Sequence, residues 1–572
     1  MVCLAGTVNR RCRTRSTDPG RMLASLLRSV LAVPLRQWRG RRASSLVDLA
    51  IARQKRADHA GALRSLERAI ALDPASHDGW NELGNVHLAR GDPGRAIECY
   101  RRALGIDARS AVARFNLGLA LREAGAPDEA MAQLRRAHAA APGMAGPLRQ
   151  LVTLLVEKDL CDRALAVARR AVERDPGSYE ARLMLGFAHF KLNDPQRALE
   201  CYDAAATLRP EDAELCDMRA CALQVLGRID EAFADFDRAL GIAPRAPRPR
   251  FHRALASLLA GDFGAGWDGY ELRQISGGYF KLGPSGLERW DGAPLAGRTL
   301  LIRREQGLGD EIMFASILPE LIAAARHCVL ECDPRLRALF ARSFPSATVF
   351  GSIPDRSIPH ALRGLGIELE VDAGSLPRLR RRSLADFPRH SGYLAADPAR
   401  VAHWRARLAA LGPGLKVGLS WTGGLRVTRR ELRSIALEQL LPVLRVPGVR
   451  FVSLQYTDEA EAELAALGER HAVHIEHWQE AIDDYGETAA LACALDHVVA
   501  VCTSLVHLGG ALGRPVWVMA PHSPEWRYGY RGETMPWYPS VRIFRQPAFG
   551  QWQPVIDAVA ANLARLVGAP PG

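Results

Sequence analysis

The chain has 572 residues, 48% of them hydrophobic and 24% charged, a balance that suits about three or four globular domains. A disordered or collagen-like chain is excluded. No uncharged apolar run reaches the roughly 18 residues that a membrane span requires, so none is expected. The formal net charge is +12, but ten Arg and a single acid, Asp18, in residues 1–43 account for +9 of it. The remaining body is nearly neutral, so a basic surface for phosphate backbones is not indicated.

The Arg-rich, acid-poor start over residues 1–42 is expected to be a disordered tail. A transit peptide and a helix lying weakly on a membrane surface are the alternatives. Eleven cysteines are scattered without a C-x-x-C pair. Neither a zinc spacing nor a disulfide framework is readable from them, which fits free thiols in a reducing cytoplasm.

From residue 43 the chain repeats itself. Alanines fall every 34 residues at 62, 96, 130, 164, 198 and 232, and a second series falls at 69, 103, 137, 171, 205 and 239. Prolines at 74, 142, 176, 210 and 244 close most units, and Gly84, Gly118 and Gly186 keep the same register. Small residues let two helices cross closely, and proline stops the second helix of each pair. The register resembles the tetratricopeptide repeat, best seen in Trp80, Leu83, Gly84, Ala96, Tyr100 and Ala103. Six full repeats and a truncated seventh with Trp267 and Tyr270 span 43–275. Stacked hairpins make a superhelix with a concave face. That face reads as a protein- or peptide-binding surface, with a spacer or oligomerisation arm as the alternative.

A Gly-, Pro- and Trp-punctuated linker is expected over 276–297. Strand Thr299–Ile302 then leads through Gly307 and Gly309 to Asp310 and a helix. A second series starts near Lys416, with the turn Trp421-Thr422-Gly423-Gly424, strand Val498–Val501, Cys502-Thr503-Ser504 and a small-residue helix. Alternating strands and helices predict two mostly parallel sheets in two facing Rossmann-like domains, 298–395 and 413–545, with a cleft between them and a C-terminal helix over 546–572.

The runs RREQGLGDEIMFASILP, GLSWTGG, ALDHVVAVCTSLVHLGGALGRPVWVMAP and SPEWRYGYRGETMPWYPSVRIFRQ resemble bacterial tetratricopeptide proteins with a heptosyltransferase-like C-terminal region. The resemblance covers most of 44–560. It implies an N-terminal α-solenoid followed by a GT-B-like pair of α/β domains. The implied activity is metal-independent, inverting glycosyl transfer from a nucleotide-diphosphate sugar, with no cofactor and no metal. It places the catalytic base on Asp310 and the diphosphate loop on 502–507, including Thr503, Ser504 and His507. Trp421, Gly423 and Arg433 join the donor side, and Gly307 and Gly309 are turn glycines at the cleft. Four positions depart from the family: Cys502 stands where Asp is usual, and Gly424, Val427 and Arg430 stand where Asn, His and Asp are usual.

The chemistry is coherent residue by residue. A carboxylate at a glycine turn can take the acceptor's proton, and a helix N-terminus can hold a diphosphate without a metal. Arg433 would add charge-assisted contacts. Each residue also has a plain structural role: Asp310, Thr503 and Ser504 as helix caps, His507 as a packed side chain, Trp421 as a core aromatic. The expectation is a glycosyltransferase acting on a protein or glycan acceptor presented by the repeats. The alternative is a non-catalytic scaffold with a degenerate transferase fold.

Overall fold

In the computed structural model the described residues are 19–276, 286–353, 357–424 and 429–568. They fall into two compact units, Met1–Ala188 and His189–Gly572. Val427, like Gly277, Gly278, Gly283 and Pro284 of the expected linker, lies outside the described residues.

The first unit is built of helical hairpins. Helices His77–Ala89 and Pro93–Ile106 show how the 34-residue lattice works. Ser76 and Asp92 cap them by accepting the N–H groups of Gly79 and Arg95, and Pro93 takes a first-turn position where no N–H is needed. Gly84 faces the ring of Tyr100 so closely that a Cβ there would lie 2.5 Å from Cε1. The Tyr100 hydroxyl in turn donates to Asn85 Oδ1 at 2.7 Å. Ala62, Ala69, Ala96, Ala103, Ala130, Ala137 and Ala164 are all fully buried. The alanine lattice is therefore the seam of helix crossing. Residues 1–18 of the expected tail lie outside the described residues, and from Pro19 through Gln54 the backbone is helical instead. That stretch is rich in Leu, Ala and Arg, strong helix formers, and runs unbroken into the first hairpin. Among the described residues no helix is long and apolar enough to cross a membrane.

The second unit begins with further hairpins, including Ala213–Val225 with Ile229–Ile242 and Pro247–Ala260 with Phe263–Tyr270. Two sheets follow. The first holds β1 (Glu288–Arg289), β2 (Thr299–Arg303), β3 (His327–Cys332), β4 (Thr348–Gly351) and β5 (Leu369–Asp372), all parallel, in the order β1-β5-β2-β3-β4. The segment expected as linker thus supplies an edge strand, and the next residue, Trp290, is buried.

The second sheet holds β6 (Leu415–Ser420), β7 (Val449–Ser453), β8 (Glu476–His477), β9 (His497–Val501), β10 (Val516–Ala520), β11 (Thr534–Met535) and β12 (Tyr538–Arg545). Its order is β11-β12-β10-β9-β6-β7-β8, parallel except for the β11–β12 pair. β9 and β10 are buried along their whole length, as expected for strands covered on both faces. Helix Gln553–Gly568 packs Val555, Ile556 and Val559 into the same core.

Within this unit the last hairpins are bolted to the sheets. The Trp267 indole donates to the carbonyl of Arg381 at 2.8 Å and meets Trp526 edge-on at 5.2 Å between centroids. Arg273 and Glu305, 1% and 2% exposed, form a two-pronged ion pair at 2.9 and 2.7 Å. Glu305 also accepts the N–H of Gly374 at 2.9 Å. One carboxylate therefore ties the end of the repeats to the loops after β2 and β5. Truncating one partner of such a pair leaves a buried charge without compensation. Arg273→Ala is expected to lower the unfolding free energy of this unit by about 3–5 kcal/mol, whereas Arg273→Leu combined with Glu305→Leu loses less. Urea unfolding of both variants checks this, and equal losses would mean that the pair is not the joint.

Candidate functional site

In an open parallel sheet, ligands bind beyond the carboxyl ends of the strands, where the chain reverses its order of strand addition. In the second sheet that point lies between β6 and β9, because β7 and β8 add on one side while β10 and β12 add on the other. The loops leaving β6 and β9 meet there: a Cβ on Gly423 would lie 2.4 Å from Thr503 Cγ2. Gln455, just after β7, staples the β6 loop by accepting the N–H groups of Trp421 and Thr422 at 3.0 Å each. From the first sheet, the loop after β2 approaches the same place. Gly309 packs on the start of helix Ser504–Ala511, with a would-be Cβ 2.9 Å from His507 Cδ2. Gly309 therefore serves as a close-approach glycine.

Between these loops lies a cleft of about 980 Å³. Of the residues expected at the site, Gly307, Gly309, Asp310, Arg433, Thr503, Ser504 and His507 line it, together with Cys502 and Gly424. Trp421 and Gly423 do not, which corrects their expected place on the donor surface. The Trp421 ring is 1% exposed in the core of the second sheet, and its indole donates to Glu463 Oε2 at 2.6 Å. The chain turns Trp421 under the sheet before it reaches the cleft. Gly423 spends its missing side chain on contact with Thr503. Arg430 also stays off the cleft wall and lies 3.9 Å from Glu459.

Asp310 is held from both sides. Oδ2 accepts the N–H of Gly307 at a long 3.4 Å, a weak cap, while Oδ1 accepts from the guanidinium of Arg527, at 2.7 Å from Nε. Arg527 also donates to Glu525 Oε2 at 2.7 Å, and Glu525 Oε1 accepts from Arg433 at 2.6 Å. The cleft thus carries a chain of alternating charge, Asp310–Arg527–Glu525–Arg433. Burial pushes the Asp310 carboxyl above its ordinary range, against the pull of Arg527. Thr503 caps helix Ser504–Ala511 by accepting the N–H of Leu505 at 3.3 Å. His507 is a packed side chain: Nδ1 lies 3.2 Å from the Tyr538 hydroxyl, and burial lowers its pKa to about 3.

Sequence reasoning missed several residues here. Arg527 and Glu525 sit in the quoted SPEWRYGYRG run, where an arginine beside an acid was a readable signal. Tyr456, half-exposed on the wall, accepts the N–H of Gly424 at 2.9 Å. Gln224, Val225, Leu255 and Tyr270, all from the hairpins of this unit, form another wall. No pattern within a repeat marks them out.

Cys502 is 2% exposed, and burial pushes its thiol up to about 12, against the pull of Arg433 and Arg545. The Arg545 guanidinium keeps Nη1 buried without a hydrogen-bond partner. A carboxylate at 502 would give that cation a counter-ion. Cys502→Asp is therefore expected to be more stable at pH 7 than the near-isosteric Cys502→Asn, by about 1–3 kcal/mol. Denaturant melts of the two variants compare them directly, and equal stability would mean that Arg545 does not reach position 502.

His507 yields a second expectation. Its folded pKa, about 3, lies below the ordinary 6.5, so the unfolded chain binds the proton first. Its contribution to stability is complete above about pH 6.5 and is lost toward pH 3, by about 1.4 kcal/mol per pH unit. His507→Gln should lack this component, so the stability gap between wild type and variant narrows on acidification. A pH-independent gap would contradict the assignment.

One tetratricopeptide-repeat family model matches residues 47–111, 87–145 and 149–213, and a second matches 213–245. The chain is 36% identical over 410 residues to Protein FlbA of Caulobacter vibrioides, an alignment that covers 66% of each chain. Among solved structures, the chain is similar to Pseudomonas aeruginosa pilF, at 21% identity over 36% of this chain and 95% of that one, with a TM-score of 0.31. YrrB, described as a repeat protein with an unusual peptide-binding site, is 22% identical over 32% of this chain and 93% of its own, with a TM-score of 0.25. Yeast Tom70 is 19% identical over 42% of this chain and 51% of its own, with a TM-score of 0.34. The helical hairpins of residues 47–245 are tetratricopeptide repeats.

Proposed function

We propose that the protein is a glycosyltransferase of GT-B-like architecture that moves a sugar from a nucleotide-diphosphate donor to a protein or glycan acceptor guided by the repeats. The observation that carries this reading is the composition of the cleft wall. Asp310, the start of helix Ser504–Ala511, Arg433 and Arg527 share one cavity with Gln224, Val225, Leu255 and Tyr270 of the hairpins. An acceptor bound along those hairpins would enter the cleft that holds the carboxylate.

In this reading the acceptor hydroxyl oxygen attacks the anomeric carbon as the bond to the diphosphate breaks. Asp310 takes the hydroxyl proton, and burial, which pushes its carboxyl above the ordinary range, makes it a stronger base than an exposed aspartate. The N-terminal dipole of helix Ser504–Ala511, the hydroxyls of Thr503 and Ser504, and the two arginines stabilise the departing diphosphate. Arg527 has a double role: a bound diphosphate competes for its guanidinium and so frees Asp310 to act as a base. Donor binding would in this way prime the chemistry.

The scaffold reading has one specific observation in its favour. The Asp310 carboxylate is already engaged by Arg527, and Cys502 offers a buried thiol where a carboxylate would orient the sugar. Ligand binding separates the two readings. A nucleoside diphosphate at a hundredfold excess over its dissociation constant should stabilise the chain by about 2.7 kcal/mol, with or without Mg²⁺. Asp310→Asn should keep that stabilisation while transfer falls about a hundredfold or more. Absence of any nucleotide shift would favour the scaffold, and unchanged transfer in Asp310→Asn would place the base elsewhere.

A further inference from the structure

Behind the cleft wall, two hairpins bring together three side chains that the proposed transfer does not use. Asp217 and Cys221 stand one turn apart on helix Ala213–Val225, and His252 stands on helix Pro247–Ala260. His252 Nδ1 lies 2.8 Å from Asp217 Oδ1 and 3.5 Å from Cys221 Sγ, and the three atoms all lie within 4.8 Å of one another.

Both contacts fall on the same ring nitrogen. An imidazole nitrogen offers one proton or one lone pair, so it cannot serve a carboxylate and a thiol equally well. The arrangement also rules out a nucleophile–base–orienter relay, which needs one partner on each ring nitrogen. A cation at the centre of the three atoms would satisfy all of them at once. Tetrahedral zinc, with bonds of about 2.0 Å to nitrogen or oxygen and about 2.3 Å to sulfur, holds neighbouring N and S ligands about 3.5 Å apart. The observed N···S separation already has that value, whereas the 2.8 Å N···O contact would have to open to about 3.3 Å as the cation enters. The carboxylate is also oriented as a ligand: Asp217 is 1% exposed and its Oδ2 lies 3.2 Å from Arg248 Nε, which leaves Oδ1 turned toward His252. A partner of this kind on the outer oxygen is how metal-binding carboxylates are held in place.

We propose that Asp217, Cys221 and His252 form a binding site for a divalent cation of the zinc class, with a fourth position left for water or a partner's side chain. The thiolate–imidazole–carboxylate donor set selects zinc-like ions over magnesium or calcium, which take all-oxygen shells. The cation would clamp the first helices of two successive repeats. Gln224 and Leu255, each three residues beyond a ligand, line the cleft, so the clamp would fix the wall along which an acceptor passes.

The test uses the full-length chain stripped of metal by a chelator and titrated with Co²⁺, then with Zn²⁺. The expected result is one equivalent of Co²⁺ with a sulfur-to-cobalt charge-transfer band in the near ultraviolet, displaced by Zn²⁺. Cys221→Ser should abolish the band. Asp217→Asn and His252→Gln should weaken binding by more than about a hundredfold, beyond the 10–100-fold typical of outer-shell changes. Cys201→Ser, which removes a neighbouring thiol outside the cluster, should bind as the wild type does. Circular dichroism of each variant confirms that it is folded, and the His252→Gln titration decides the matter should Cys221→Ser fail to fold. A band that survives in folded Cys221→Ser, or a wild-type chain that takes up no Co²⁺, overturns the proposal and leaves a hydrogen-bonded cluster only.

Discussion

In the second unit a buried ion pair sits where the last hairpin meets the first sheet. Arg273 closes the last hairpin, Glu305 leaves the end of β2, and their two-pronged contact also gathers the backbone of Gly374 after β5. Two desolvated charges this deep are costly apart and tolerable only together. The pair therefore admits one arrangement of hairpin and sheet rather than a range. The edge-on packing of Trp267 against Trp526 adds apolar area at the same joint. Once the hairpin is fixed there, Tyr270, Leu255 and Gln224 have to face the cleft, and the repeats become part of a site that the sheets alone would leave open on one side.

Charge in that cleft is balanced before any ligand arrives. Arg433 and Arg527 share Glu525, and Arg527 also holds Asp310. Each guanidinium is held in place by a carboxylate partner. This arrangement links the two candidate roles of Asp310. The contact to Gly307 makes it a weak cap, and the contact to Arg527 makes it one half of an ion pair. Its burial favours the neutral form and the arginine favours the charged one, so ligand occupancy of Arg527 is what would shift its basicity.

The glycines show how closely the loops around the cleft approach one another. Gly309 leaves no room for a side chain against His507 and Ser504, and Gly423 leaves none against Thr503. Gly424 combines a φ of +83° with a would-be Cβ 2.0 Å from the Arg433 guanidinium. A larger residue at that position would meet both backbone strain and the charged side chain. The glycine at 424 thus leaves open the space that Arg433 occupies.

The sequence by itself determined the elements that rest on local periodicity. The alanine and proline lattice specified the hairpins, because helix crossing and helix termination are set within 34 residues. The apolar runs at 299–302, 417–420 and 498–501 specified strands, because burial on both faces leaves no room for polar alternation. Gly307, Gly309, Asp310, Thr503 and Ser504 were legible as turn and cap residues because each sits between a strand and a helix, and all five line the cleft. Tertiary structure decided whatever depended on partners distant in the chain. Trp421 reads as a cleft aromatic until Glu463 and the sheet core bury it. Nothing local marks Arg527 as the partner of Asp310 until a chain separation of 217 residues closes. Cys221 is one thiol among eleven until the next repeat brings His252 beside it. Local pattern fixes which segments become helices and strands, but the pairing of buried charges is chosen by desolvation, and desolvation exists only once the segments have packed.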